Sequence, residues 1–234
     1  MRIALMIIRV IFVFPFYLLK MHILGSKKEW DRFESFAFVK KIATQANRKG
    51  RVTVEAHGIE NIPKEDGFVL FPNHQGMYDV LIFLESCPRP FSFVAKDELK
   101  NVPLLKQCMC ALHCIPIDRK NLRQSLTVIQ EMIRRVSAGE NFLIFAEGTR
   151  SKKGNKMNDM KGGSFKSAVK AKAPIVPCAI IDAFVPFDVN SIKKVTVKAF
   201  YLEPMYYDEY KDMTTNEIAV EVKNRIQKVL DENS

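Results

Sequence analysis

The chain has no Cys-x-x-Cys pair. Its cysteines, Cys87, Cys108, Cys110, Cys114 and Cys178, are odd in number and irregularly spaced. That excludes an even disulfide framework and fits free thiols in a reducing compartment. The run Cys108-Met109-Cys110-Ala111-Leu112-His113-Cys114 lacks a second ligand cluster to complete four-coordination, so it reads as small packing residues. Neither a metal nor a cofactor is expected. No internal repeat and no low-complexity segment is present, so nothing points to a solenoid or a disordered linker. Acidic residues are in short supply: 26 Asp and Glu stand against 36 Lys and Arg, a formal net charge of +10. A surface this basic attracts nucleic acid, anionic lipid or phosphorylated small substrates, and charge alone does not choose among them. A length of 234 residues fits one domain with at most a short appendage.

One apolar run stands out, from Ile3 to Leu24. A cleaved signal peptide is disfavoured because Arg9 interrupts the run and no Ala-x-Ala-like site follows. A spanning helix needs about 20 apolar residues, and Ile3 to Leu19 is marginal, with Arg9 and Pro15 inside it. The third reading is a helix lying in the membrane interface. At helical spacing Arg2, Arg9 and Lys20 fall nearly on one line, a stripe that suits headgroups, and Pro15 is expected to kink or split the helix. From Lys27 to Lys41, Trp30, Phe33, Phe36 and Phe38 alternate with Lys27, Lys28, Arg32, Lys40 and Lys41; that mixture suits a membrane interface or an amphipathic helix packed on a core. Residues 1–48 are thus expected to form a helical membrane-association segment, embedded rather than spanning, ahead of a domain at 49–234.

From residue 50 onwards short apolar runs alternate with helical patterns. Strands are expected at Arg51–His57, Gly67–Phe71, Phe91–Ala95, Cys114–Ile117, Asn141–Ala146, Ile175–Ile181 and Lys194–Tyr201. Helices are expected at Tyr78–Ser86, Asn101–Met109, Leu122–Val136, Ser164–Lys172 and Thr214–Leu230, the last capped by Thr214 or Thr215 with Glu217 nearby. Interleaving of this kind implies an α/β fold with a mostly parallel sheet covered by helices on both faces. The Lys- and Gly-rich stretch Ser151–Gly163 reads as a long surface loop.

Four segments carry candidate chemistry. In Asn73-His74-Gln75-Gly76-Met77-Tyr78-Asp79, His74 and Asp79 would diverge by about 140° on one helix, so they meet only if the chain turns between them, and Gly76 permits a turn. Asp79 would then hold one ring nitrogen of His74 and leave the other as a general base. No serine or cysteine stands close in sequence, so the hydroxyl can come from a substrate; a His–Asp pair that only fixes a loop is the plain alternative. In Phe145-Ala146-Glu147-Gly148-Thr149-Arg150-Ser151, Arg150 can present a planar fork to a phosphate, and Glu147 can orient a hydroxyl or hold Arg150. In Ile115-Pro116-Ile117-Asp118-Arg119, Arg119 is a second phosphate candidate or half of a surface ion pair. Lys96 is a lesser one, more simply a solvated lysine. Ala173-Pro174-Ile175-Val176-Pro177 shapes a wall.

Together, Asn73–Asp79, Cys114–Arg119, Phe145–Ser151 and Ala173–Pro177 resemble the four blocks of the glycerolipid acyltransferases, in particular the bacterial 1-acylglycerol-3-phosphate acyltransferases. The resemblance spans about residues 50–200. It departs in the second block, where a glycine often precedes the strand and this chain has Leu112-His113-Cys114. It implies an acyltransferase that moves a fatty acyl group from acyl-CoA or acyl-carrier protein to lysophosphatidic acid, giving phosphatidic acid, with His74 and Asp79 catalytic and Arg119, Glu147, Gly148, Thr149 and Arg150 on the acceptor. The expected setting is the cytoplasmic face of the cell membrane, against anionic lipid and without nucleic acid. Rival classes are another acceptor, such as glycerol-3-phosphate, a hydrolase using the same pair on water, and a non-catalytic membrane or nucleic-acid binder.

Overall fold

The computed structural model describes residues 1–9, 11–118 and 121–233. Among them, β1 (Val52–His57), β2 (Val69–Pro72), β3 (Ser92–Lys96), β4 (Ile115–Ile117), β5 (Phe142–Leu143), β6 (Ile175–Ile181) and β7 (Val195–Tyr201) form one sheet in the order β1-β7-β6-β2-β5-β3-β4. Every neighbouring pair is parallel except β6 with β7. The sheet is mostly parallel, as the alternation of elements implies. The single reversal sets β1 and β7 against the other strands, so the carboxyl ends of β2, β3, β4, β5 and β6 gather on one edge.

The helices are α1 (Arg2–Ile8), α2 (Phe14–Ser26), α3 (Arg32–Lys49), α4 (Asp79–Ser86), α5 (Leu105–Ala111), α6 (Leu122–Ser137), α7 (Lys166–Ala171), α8 (Val185–Asp188), α9 (Tyr207–Tyr210) and α10 (Thr215–Asn233). Alternate side chains of the central strands feed two apolar clusters, as the two-residue period requires. Phe68, Leu70, Val176 and Ile180 join Phe36, Val39, Ile82 and Phe83 of α3 and α4. Val69, Phe71, Ile175 and Ala179 join Met132 of α6 and Ile218, Val222 and Ile226 of α10. Every residue of β2 and of β6 is buried, the mark of strands covered on both faces. On β1, by contrast, buried or half-buried positions alternate with exposed ones, as at a sheet edge. At α10, Thr214 Oγ1 accepts from Glu217 N, while Glu217 Oε2 accepts from Thr214 N (2.7 Å), a reciprocal cap.

Three local expectations change. Pro103 does not open a helix, because Leu104 adopts φ +70° and α5 starts only after it. The β5 ladder covers Phe142–Leu143 alone, since the chain turns away towards Glu147. At the N-terminus the apolar run splits between α1 and α2, with Pro15 in the first turn of α2. The expected stripe of Arg2, Arg9 and Lys20 is lost with the single helix. Arg2 is only 2% exposed, and its guanidinium donates to the carbonyls of Gly50 (2.5 Å), Pro186 (3.2 Å) and Lys193 (2.9 Å). Met6, Met21 and Leu24 belong to the same apolar cluster as α3 and α4.

Candidate active site

The carboxyl ends of β2, β4 and β5 deliver three of the expected segments to one edge, while the fourth, Ala173–Pro177, opens β6 at its amino end. β2 stops at Pro72, and the chain turns through Asn73–Tyr78 into α4. His74 Nδ1 lies 2.7 Å from Asp79 Oδ2. Asp79, the first residue of α4 and fully buried, also accepts from Gln75 N at Oδ2 (2.6 Å) and from Gly76 N at Oδ1 (2.9 Å). One carboxylate thus closes the turn, favours a negative charge at a helix N-terminus and orients the imidazole. Burial pushes the Asp79 carboxyl upward, while the His74 ring and the two amides pull against that. A Cβ at Gly76 would stand 3.3 Å from both Asp188 Oδ2 and Phe184 Cα, so a larger residue there would make these neighbours give by a few tenths of an ångström.

The His74 ring stacks on Phe145, centroids 3.9 Å apart, and its side chain is 15% exposed. With Nδ1–H donated to Asp79, Nε2 keeps its lone pair, and among the described residues no hydrogen bond reaches it. Ser151 is the nearby hydroxyl in the chain that sequence spacing does not reveal. Its backbone N donates to His74 O (2.8 Å), but its buried Oγ makes no hydrogen bond, so it is not held by the imidazole.

Glu147 departs from the expected role. Its carboxylate is occupied by backbone: the residue is 2% exposed, Oε1 accepts from His74 N (2.6 Å) and Oε2 accepts from Asn158 N (2.8 Å). The carboxylate clips the third segment to the first, and it does not hold Arg150. Burial pushes its pKa up against those two amides. Gly148, at φ +75°, turns the chain outward beside Lys161. Thr149 is exposed and Arg150 half-buried, and the Arg150 guanidinium makes no hydrogen bond or ion pair among the described residues. Arg119 lies outside the described residues. Lys96 pairs with Glu98 at the surface (2.8 Å).

A layer of amides behind the histidine went unread in the sequence. Asn73 exchanges two bonds with Ile180, Nδ2 to O (3.0 Å) and N to Oδ1 (2.7 Å). Gln75 Nε2 donates to Ile180 O and to Asn155 Oδ1, and its Oε1 accepts from Ala183 N. Asn155 in turn bonds Asp182. The signal was the pair of amides flanking His74 directly after a buried strand, since buried amides must find partners. In the second segment, His113 takes φ +47°, the left-handed backbone that a glycine adopts freely. It is held there by stacking on Trp30 (3.9 Å) and by Arg135 Nη1 donating to its carbonyl (2.7 Å). In the fourth segment, Pro174 O accepts from Val69 N and Pro177 O from Leu202 N, so it forms part of the sheet wall.

Comparison with known proteins agrees with this geometry. A 1-acyl-sn-glycerophosphate acyltransferase, PlsC, from Thermotoga maritima superimposes with a TM-score of 0.77 at 23% identity, over 99% of this chain and 97% of that one; this likeness is one of fold. A probable 1-acyl-sn-glycerol-3-phosphate acyltransferase of Mycoplasma genitalium is 34% identical over 55% of this chain and 49% of its own length. The enzyme of that name from Borreliella burgdorferi is 31% identical over 53% and 49%, and that from Bacillus subtilis 28% over 70% and 79%. The chain spans about half the length of the first two relatives it matches. The family model described as Acyltransferase matches residues 53–181, which runs from β1 to the end of β6 and takes in all four segments; the chain belongs to the Acyltransferase family.

Proposed function

We propose that this protein transfers a fatty acyl group from a thioester, acyl-CoA or acyl-carrier protein, to the 2-hydroxyl of 1-acylglycerol-3-phosphate, giving phosphatidic acid in phospholipid synthesis. The observation that carries the reading is the His74–Asp79 pair at 2.7 Å, with Nε2 bonded to no serine, cysteine or other side chain among the described residues. Such a base needs a hydroxyl brought by a substrate. Asp79 holds the ring with Nδ1–H towards it, and Nε2 takes the proton of the acceptor hydroxyl. The oxygen attacks the thioester carbonyl, the C–S bond breaks, and the proton passes to the leaving thiolate. Arg150, with Arg119, reads the acceptor's phosphate.

The reaction belongs at a membrane surface. Ile8, Ile11, Phe12, Phe16 and Leu19 are exposed on and between α1 and α2, Phe12 at 97%, and a contiguous exposed apolar patch marks an interaction site. Among the described residues no helix is long and apolar enough to cross a membrane; in this reading the pair embeds in one face of the bilayer, on the cytoplasmic side. Incubation with acyl thioester and lysophosphatidic acid, read by free thiol and by phosphatidic acid formed, tests the reading. Thiol release that ignores the acceptor would make the protein a thioesterase instead.

A further inference from the structure

The Lys- and Gly-rich loop between the Arg150 turn and α7 lends Met157, Met160 and Phe165 to the core, and it is fastened to the site at three points. Ser151 N donates to His74 O (2.8 Å), Asn155 Oδ1 accepts from Gln75 Nε2 (3.0 Å), and Asn158 N donates to Glu147 Oε2 (2.8 Å). Between these fastenings Lys152, Lys153 and Lys156 are exposed. Their ammonium groups make no ion pair or hydrogen bond among the described residues. The loop's one acid, Asp159, is taken by Lys223 at 2.5 Å. Some surface lysines elsewhere, Lys27, Lys96, Lys100 and Lys211, sit within 3.1 Å of a carboxylate, and others, such as Lys28, Lys64 and Lys194, do not; the loop differs in carrying its three unpaired lysines on backbone fastened to the His74 turn. Positive charge is therefore left unneutralised beside the imidazole, on backbone that is pinned.

We propose that this loop is the docking surface for an acidic carrier protein that presents the acyl group to His74 as a thioester on a flexible arm. The proposal rests on the acyl-transfer reading and names the donor within it. Three anionic partners compete for such a loop. A single phosphate, on the acceptor or on a nucleotide-bearing thioester, needs donors that converge on it. These lysines are instead strung along the chain and exposed to solvent. An embedded lipid-binding element mixes basic with exposed apolar side chains, and no large exposed hydrophobic side chain lies between Leu126 and Val189. An acidic protein face suits dispersed cations on rigid backbone, where complementarity steers encounter and register. The chemistry is unchanged: the acceptor's C–O bond forms, the carrier's C–S bond breaks, and the proton held on His74 goes to the carrier's thiolate.

The test replaces Lys152, Lys153 and Lys156 together by Glu, and separately by Gln, with a melting curve for each. KM and kcat are measured with acyl-carrier protein and with acyl-CoA at fixed acceptor, alongside binding of holo-carrier protein and of anionic vesicles at low and high salt. The expected result for the Glu variant is a KM for the carrier-borne donor raised about tenfold or more, with the acyl-CoA and acceptor constants little changed. Carrier binding by the unaltered chain should weaken with salt. Should the Glu variant fail to fold, a smaller change in the same direction in the Gln variant decides. An equal rise for both donors overturns the proposal, as does an unmoved carrier KM. Loss of vesicle binding with the carrier KM intact reassigns the loop to lipid. An unaltered chain that turns over acyl-CoA but not the carrier-borne donor sinks the loop proposal alone; one that releases thiol from neither sinks the acyl-transfer reading with it.

Discussion

The His74 turn and the α1–α2 pair treat solvent in opposite ways. In the turn Asn73, Gln75 and Asp79 are at most 1% exposed, and each has partners for its side chain. On and between the helices Ile8, Phe12 and Phe16 are 67%, 97% and 60% exposed. Buried polar groups with every partner in place fix geometry, because any other arrangement leaves a donor or acceptor unsatisfied. Bare apolar side chains fix nothing until a second surface covers them. Under the proposed function proton transfer falls to the first region and attachment to the second, and that division breaks wherever a change in one region produces the other's effect.

The largest effect belongs to the turn. His74→Ala should cut turnover by about 10²–10⁴-fold without loosening vesicle binding or lowering the melting temperature appreciably. A folded variant with near-normal turnover would falsify the base assignment. Next comes the attachment face. Exchanging Ile8, Phe12 and Phe16 together for Ser should weaken partitioning to anionic vesicles by about 1,000-fold or more, since burying each such side chain is worth about 1.5–3 kcal/mol. Turnover on a short-chain, soluble acceptor should hold steady; undiminished pelleting with vesicles would remove the helices from the membrane.

Arg150 sharpens the comparison, since it stands at the site without the turn's network. Arg150→Ala should raise KM for the phosphorylated acceptor about 30-fold, roughly 2 kcal/mol, with Arg150→Lys recovering part. Losses shared equally by donor and acceptor, with a lowered melting temperature, would make the arginine structural. The smallest effect is at Glu147. A Gln there offers a single acceptor oxygen to two amides, so Glu147→Gln should cost about 1 kcal/mol, roughly 2–4 °C in melting temperature. Burial raises the folded pKa of Glu147 above its unfolded value. Its contribution is therefore complete below the unfolded pKa and declines as pH rises through the folded one. The lead of the unaltered chain over Glu147→Gln should narrow as pH rises from acid to neutral. Melting curves across that range check it, and a lead that widens would mean the two amides outweigh burial.

What could be read in the sequence was what depends on near neighbours. β6 falls on Ile175–Ile181 as its apolar run between turns implies, and His74 and Asp79 meet because only four residues, turning at Gly76, join them. Readings failed where a distant contact or one backbone angle intervened. The arginine and lysine stripe assumed one continuous helix, which the break before Phe14 removes. The helix expected from Asn101 is delayed by the positive φ of Leu104. Glu147 read as a ligand because its partners, His74 and Asn158, are set by the strand order, which spacing does not encode. Asn155 and Asp182, brought to Gln75 by the same topology, carried no local signal. His113 shows the converse: the absent glycine was visible, and the stacking on Trp30 that compensates was not.

Arg2 makes the first helix part of the machine's frame. A guanidinium roofed by three carbonyls leaves three acceptors dry when it is taken away, at Gly50, Pro186 and Lys193. Pro186 belongs to the short helix whose flanks, Phe184 and Asp188, bear on Gly76. Trimming α1 and α2 as though they were a detachable leash would then unseat the catalytic corner as well as the anchor. A truncated enzyme found inactive in detergent, where no bilayer is required, would be reporting a broken hinge pin and not a lost membrane.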